Sequence, residues 1–487
     1  MQQKTSLKLY FSDYFDLSKN ALDKYGAYNI SLMSDLPLFI DPFLLFQNPK
    51  YQVLHNLIID YLKYLRDVSI YQSINQGRLK SLFYFSEVEQ TYFGFTFMGN
   101  KGHGLGQKFA RSLNLNLSKI FSSFGKETIT KGIHLEKLCL ISNGVGRDTI
   151  SDFVTNLIKE YLLRYTEAFT LDNIRSEHRA TVAVERVKFD RNLGVWTPGK
   201  FILPIYRNDY VLLTPKDILT REDTWINRND YYTDFFSMVG ASPNDQLRAD
   251  FDDYLKRALT KEYTWKEMQD AIEGFTRLHP ELIDHFIKVK EDNGEKAIKR
   301  SALYVSESEL LFIDQFGSFA QFLFNNTLFY TIGFRTKDET HKRIMFLKDA
   351  IENKGCWTIF YNKDRPITRE EDIHVLFKLI WYETPFDVSH EVNDGRGPAD
   401  FKVSYGRDKT LVEFKLASNT HLRDNLENQL ELYKKASDAE YGFKVIFYFS
   451  PEDLKRVNTI LSELNMLNDP NIILVDATKK IPASQVK

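Results

Sequence analysis

The stretch from Ala399 to Leu416 constrains the chain most, because it fixes a face. It reads as two extended segments, ADFKVSY and TLVEFKL, separated by the turn GRDK. A strand repeats every two residues, so Glu413 and Lys415 leave the same side, while Val412 and Phe414 leave the other. Placing a lone Glu and Lys on a buried sheet face is expensive. A metal held by Glu413, with Lys415 nearby, removes that difficulty. If the two segments form an antiparallel pair, Asp400 comes beside Glu413. Two hard carboxylate oxygens suit Mg2+ or Mn2+, with the backbone carbonyl of Phe414 as a further ligand.

The flanking residues extend this pattern. Gly395, Gly397 and Pro398 shape the approach to Asp400, and Arg396 can touch a phosphate or a carboxylate. After Lys415, Asn419 or Thr420 can cap a helix on which Gln429 and Tyr433, four apart, share a face. FKVIFYF from Phe443 reads as a buried strand, PEDLKRVNTILSEL as a helix with Pro451 near its start, and NIILVDA as a closing strand. The order strand, strand, strand, helix, strand, helix, strand describes a compact α/β unit.

At 487 residues the chain is too long for one ordinary core. We expect three regions: 1–180, a mainly helical α+β domain; 181–360, a helix-rich α+β middle; and 361–487, the α/β unit. The fold class is α/β, mixed α+β overall. A net charge of −2 gives no global attraction to nucleic acid, so any such contact needs a local basic groove. Cys139 and Cys356 are too few for a disulfide framework and read as reduced, buried thiols. No apolar stretch of membrane-spanning length and no secretory leader is read, and a cytoplasmic location is expected. No complete phosphate-binding loop is present, which argues against an ATPase or helicase.

Several segments nearer the N-terminus carry expectations of their own. DLPLFIDPFLLF, Asp35 to Phe46, reads as extended and buried because Pro37 and Pro42 oppose a continuous helix, with Asp35 and Asp41 capping turns. QVLHNLIIDYLKYLRDV reads as an amphipathic helix burying Leu54, Leu57, Ile58, Tyr61, Leu62 and Leu65, with His55 structural. Gly99, Gly102, Gly104 and Gly106 read as a surface turn. Arg147, Asp148, Asp152 and Asn156 form a polar cluster at a helix start. It is either an Arg–Asp network fixing a loop or a phosphate grip by Arg147. Thr181 to Pro215 alternates as strands. Pro243 to Arg300 is mostly helical, and Lys288–Arg300 is either a helical hairpin, favoured because the charge pattern continues on both sides, or a domain junction.

The residues Gly395–Asp400 (GRGPAD), Glu413–Lys415 (EFK) and Gln429 with Tyr433 (QLELY) resemble the motifs of the PD-(D/E)XK nuclease superfamily, most closely its RecB-like branch. The N-terminal two thirds resembles uncharacterised bacterial proteins that carry such a domain. The resemblance implies a restriction-endonuclease-like core, a central mixed sheet flanked by helices. It implies an Mg2+- or Mn2+-dependent deoxyribonuclease, an endonuclease in a bacterial defence or restriction-like role. Asp400 and Glu413 carry over as metal ligands and Lys415 as the catalytic lysine, with Gln429 and Tyr433 downstream. A helix glutamate often joins such sites, and Glu370 is favoured over Glu371 and Glu383. The implied partner is nucleic acid, double-stranded DNA first, with a homo-oligomer or a regulatory protein partner also compatible and no membrane. The alternatives are a non-cleaving nucleic-acid-binding module and an RNA-cleaving enzyme. His374, His390 and His421 lie near the motifs in sequence and are not expected to be ligands.

Overall fold

The computed structural model describes residues 7–480 apart from 72–73, 95–105, 141–146, 208, 222, 243, 260–261, 327–334, 363–364, 368, 382–383, 394–397, 407, 430–438 and 440. The architecture is α/β: a mostly helical N-terminal region, then a mixed five-stranded sheet flanked by helices.

The Asp35–Phe46 segment is buried as expected but is not extended throughout. Pro42 opens helix α1, Pro42–Gln47, and the Asp41 side chain accepts from the Phe43 N–H. Proline disrupts a helix interior but suits its first position, where the missing N–H costs nothing. Helix α2, Gln52–Tyr71, comes next. Its Ile58, Tyr61, Leu62 and Leu65 are buried, whereas Leu57 is 40 % exposed and faces away from the core. His55 is structural, its Nε2 lying 3.0 Å from the Ile133 carbonyl. Three of the four glycines between 99 and 106 lie outside the described residues.

Helix α3, Arg147–Leu157, and helix α4, Lys159–Asn173, continue the helical region. Helix α4 then packs Leu163 against a long antiparallel hairpin, β1 (Arg179–Asp190) with β2 (Val195–Tyr206). A register shift between Val184 and Lys188 interrupts the pairing. Helix α5, Arg228–Gly240, opens a run of helices reaching Asn326. At Lys288–Arg300 one helix ends at Asp292 and the next starts at Gly294, so the stretch is a helix–turn–helix connection. Among the described residues no helix is long and apolar enough to cross a membrane. Cys139 is a buried free thiol; Cys356 is also free but only half-buried, which corrects that expectation.

Helix α6, Thr336–Asn353, precedes the expected boundary at residue 361, yet it packs on the C-terminal sheet. Its start is tied to that sheet: the Thr336 N–H and hydroxyl both donate to the Asp408 carboxylate, at 2.8 and 2.7 Å. Helix α7, Glu370–Leu379, begins with three acidic residues, the charge a helix N-terminus favours.

The sheet comprises β3 (Asp387–Asn393), β4 (Pro398–Tyr405), β5 (Asp408–Leu416), β6 (Tyr441–Tyr448) and β7 (Ile472–Asp476), side by side in that order. The first three strands pair antiparallel, and β5–β6 and β6–β7 pair parallel. Helix α8, Pro451–Glu463, makes the crossover between β6 and β7, with Ser450 capping its start through the Asp453 N–H. The two sheet faces are covered differently. Phe414 packs on Phe377 of α7 and on Phe401, at centroid distances of 4.8 and 5.9 Å. On the other face Ile446 packs with Val457 and Leu461 of α8.

Candidate functional site

The β4–β5 hairpin turns tightly, Tyr405 pairing with Asp408. Gly406 enters the turn with φ of +61°, a left-handed conformation that glycine takes without steric cost. From there the ladder runs to Val412 opposite Phe401. Beyond that pair, side chains take over the backbone bonding. The Phe414 N–H donates to Asp400 Oδ2 at 2.6 Å, and the Asp400 N–H donates to Glu413 Oε1 at 3.2 Å. Asp400 and Glu413 are therefore adjacent, as the hairpin pattern leads one to expect, because each carboxylate satisfies a backbone N–H at the end of the ladder.

Lys415 lies among three carboxylates. Its Nζ is 3.4 Å from Glu370 Oε2, 3.4 Å from Asp400 Oδ2 and 3.4 Å from Glu413 Oε2, and it donates to the Phe414 carbonyl at 2.8 Å. Glu370, the favoured helix glutamate, reaches this cluster from the first position of α7. Its Oε1 accepts from the Leu416 N–H at 3.1 Å and from Asn419 Nδ2 at 2.8 Å. Glu371 instead faces Arg369 at 3.8 Å, and Glu383 lies outside the described residues.

Two histidines join the cluster that the sequence pattern does not place there. His374, one turn after Glu370 on α7, places Nε2 3.3 Å from Asp400 Oδ2. His390 on β3 places its Nε2 3.1 Å from His374 Nδ1. His421 has a different role: its N–H donates to Asn419 Oδ1. Asn419 does not simply cap a helix; it links Glu370 to the turn after β5. Beyond that turn a three-residue helix, Leu422–Asp424, runs into a π-helical segment ending at Gln429. Tyr433, Gly395, Arg396 and Gly397 lie outside the described residues, as does the side chain of Gln429.

The electrostatics stem from low exposure; the Glu413 side chain is only 5 % exposed. Burial would raise the Asp400 carboxyl, but the positive fields of His374 and Lys415 and two hydrogen bonds hold it far below the usual carboxylate range. Glu413 moves the other way: burial, then the neighbouring Asp400 charge, push it well above. Burial would lower Lys415, yet Asp400, Glu413 and Glu370 together raise it above the usual ammonium range. Burial and the positive charge of His374 keep His390 neutral.

Residues 16–227 match the model of a domain of unknown function, DUF8370, and residues 336–451 match that of a second domain of unknown function, DUF8371. The second match spans α6, α7 and the first four strands of the sheet, and so contains Glu370, His374, Asp400, Glu413 and Lys415. No curated protein and no solved structure matches the chain.

Among the described residues no group of three or more His, Cys, Asp or Glu side chains is set to hold a metal ion. The arrangement of Lys415 gives a physical reason. Its ammonium group lies where the carboxylates converge and takes the Phe414 carbonyl as well, so the expected oxygen donors face a lysine. Their chemistry nonetheless fits a hard divalent cation: carboxylate oxygens and a carbonyl, crowded until one acid is pushed toward its protonated form.

Proposed function

We propose that the Asp400–Glu413–Lys415–Glu370 cluster is the catalytic centre of a metal-dependent nuclease that hydrolyses phosphodiester bonds of DNA, an endonuclease of restriction-endonuclease-like fold in a defence role. The observation that carries this reading is the convergence of three carboxylates on Lys415 at the point where β4 and β5 stop pairing.

Asp400 and Glu413, with the Phe414 carbonyl, would hold an Mg2+ or Mn2+ ion. When bound, such an ion supplies Lewis acidity at a phosphoryl oxygen and a water of lowered pKa. The remaining steps belong to the chain. Lys415 stays protonated, because three acids raise it, and so it donates hydrogen bonds and does not accept a proton. Its role is to orient the attacking water and offset negative charge on the phosphoryl oxygens. Hydrolysis would form a bond from a water oxygen to phosphorus, that water releasing a proton to solvent, and break one phosphorus–ester oxygen bond, the departing oxygen taking a proton from solvent. Glu413 would have to be ionised to hold the ion, and burial and the neighbouring Asp400 charge are what an entering cation would have to offset there. His374 and Asn419 position Asp400 and Glu370.

The decisive experiment incubates the full chain with plasmid, linear and single-stranded DNA, and with RNA alongside, with Mg2+, with Mn2+ and with chelator. The expected result is divalent-dependent DNA cleavage that Glu413→Ala abolishes. Cleavage of RNA alone would move the substrate class. Binding without cleavage under every metal would make the unit a nucleic-acid-binding module.

A further inference from the structure

The last β4–β5 pair is Val412 with Phe401. Past it, the N–H groups on that side of β5 meet no strand, and a buried N–H needs a partner. Carboxylates take them. The Phe414 N–H goes to Asp400, and the Leu416 N–H goes to Glu370 Oε1 at 3.1 Å. The same Glu370 oxygen accepts from Asn419 Nδ2 at 2.8 Å, while Oε2 lies 3.4 Å from Lys415 Nζ. Where Glu370 points is therefore decided by a backbone N–H that the strand fixes and by an amide that the following turn carries.

That turn is held from outside. The chain leaves the sheet at Ala417, whose N–H still donates to the Phe447 carbonyl at 2.8 Å. Arg456, on the second turn of the crossover helix α8, reaches back across 39 and 37 residues to its carbonyls. Nη1 donates to the Ala417 oxygen at 2.6 Å, and Nη2 to the Asn419 oxygen at 2.7 Å. Ala417 is buried, and a buried carbonyl needs a donor. A guanidinium offers two N–H groups in a rigid fork, and hydrogen bonds from a charged donor are roughly twice as strong as neutral ones.

The Asn419 amide is tied at its other end as well, Oδ1 accepting from the His421 N–H at 2.8 Å. Its donor nitrogen thus has one direction to point, toward Glu370. Arg456, Asn419, Glu370 and Lys415 form one chain of contacts running from the outer helix to the ammonium group of the cluster. Arg456 lies past residues 336–451, the span of the second domain match.

We propose that Arg456 is a positioning residue for the C-terminal centre. By clamping the Ala417–Asn419 turn it keeps Asn419 on Glu370 and Glu370 on Lys415, without itself meeting DNA. The consequence for cleavage rests on the nuclease reading of that centre; the clamp on Glu370 does not.

The test has two arms, both on the full chain. Kinetics of DNA cleavage with Mn2+ compare the native chain with Arg456→Gln, Arg456→Lys, Asn419→Ala and the double variant Arg456→Gln, Asn419→Ala. Arg456→Gln should lower kcat about tenfold or more, the scale of losing a group that orients an active-site ligand, with KM unchanged. Arg456→Lys, one point donor in place of a fork, should fall between. The double variant should be no slower than Asn419→Ala, because both act through one contact. Lys455→Gln, an exposed neighbour on the same helix, should match the native chain. A clamp that served the fold alone would lower the melting temperature and leave the kcat of the folded enzyme as it was. The second arm follows hydrogen exchange at the Leu416 amide, which needs no cleavage. It should quicken in Arg456→Gln and in Asn419→Ala and not in Lys455→Gln. Leu416 exchange unmoved by Arg456→Gln, an unchanged kcat, or additive losses in the double variant overturns the proposal. Quickened exchange in a chain that cleaves nothing would refute the nuclease reading and uphold the clamp. If Arg456→Gln fails to fold, the milder Arg456→Lys decides both arms.

Discussion

Nη2 of Arg221 donates to both carboxylate oxygens of Asp372, at 2.8 and 2.6 Å, and so joins the N-terminal region to the helix that carries Glu370 and His374. Asp372 is 2 % exposed, and even with this partner its burial keeps the carboxyl raised. Removing one side of such a pair leaves a buried charge uncompensated, at a cost of about 3–5 kcal/mol. Arg221→Ala is therefore expected to lower the free energy of unfolding by that order in urea. Pairing it with Asp372→Leu should recover most of the loss. Equal losses in the single and double variants would show that the pair does not couple.

Occupancy of the C-terminal cluster can be read without any nuclease assay. A ligand that binds only the folded chain raises its melting temperature. Mn2+ is expected to raise that of the native chain and to leave Asp400→Asn and Glu413→Gln unmoved. A native chain indifferent to Mn2+ and Mg2+ would remove the basis of the proposed chemistry.

Lys415→Met tests the lysine separately from the carboxylates. It removes the ammonium on which the three acids converge but keeps the length of the side chain. We expect cleavage to fall by at least about a hundredfold, the scale of losing one charge-stabilising donor. Divalent binding, read by thermal shift, should persist or strengthen. Loss of binding together with cleavage would mean that Lys415 holds the site together and does no chemistry.

The N-terminal region carries its own pH signature. Glu136 is pushed up to about 8 and Asp152 also to about 8, in both cases first by burial. For an acid raised on folding, the folded chain keeps a proton that the unfolded chain has released. Stability is then complete below the ordinary carboxylate range and falls as pH climbs toward 8. Denaturation midpoints should decline from pH 5 to pH 8, and Glu136→Gln should flatten the decline. A profile equally steep in that variant would assign the effect to other groups.

Phe377 ties the back of α7 to the sheet, with ring centroids 4.9 Å from Phe401 and 4.8 Å from Phe414. Phe377→Ala is expected to cost about 3–5 kcal/mol through the cavity it leaves. Because Glu370 and His374 share that helix, the same variant should also weaken the Mn2+ thermal shift. An undiminished shift would show that the helix holds its place without this contact.

The residues disclose what depends on short spacing. The two-residue period of Glu413 and Lys415 gives their shared face, and the short turn gives the approach of Asp400. His374 and His390 escape such a reading because they sit on separate elements, and only the packing of α7 against β3 and β4 brings them to Asp400. Asn419 looks like a cap because its sequence neighbours suggest one; its tie to Glu370 crosses 49 residues. Arg147 groups with Asp148 and Asp152 in sequence, yet the acid it faces in space is Asp223, while Asn156 Nδ2 donates to the carbonyls of Ser86 and Asp152. Pro42 has the chemistry of a helix breaker, and its position makes it a starter.

The hairpin between Tyr405 and Asp408 acts as a counter for the whole charged cluster. It sets which residue of one strand meets which of the next, and side chains alternate sides at every step. Inserting a single residue there would touch none of the acids or the lysine. It would nevertheless shift the pairing by one position, sending Asp400 to the opposite surface from Glu413 and leaving each backbone N–H at the fork without its carboxylate.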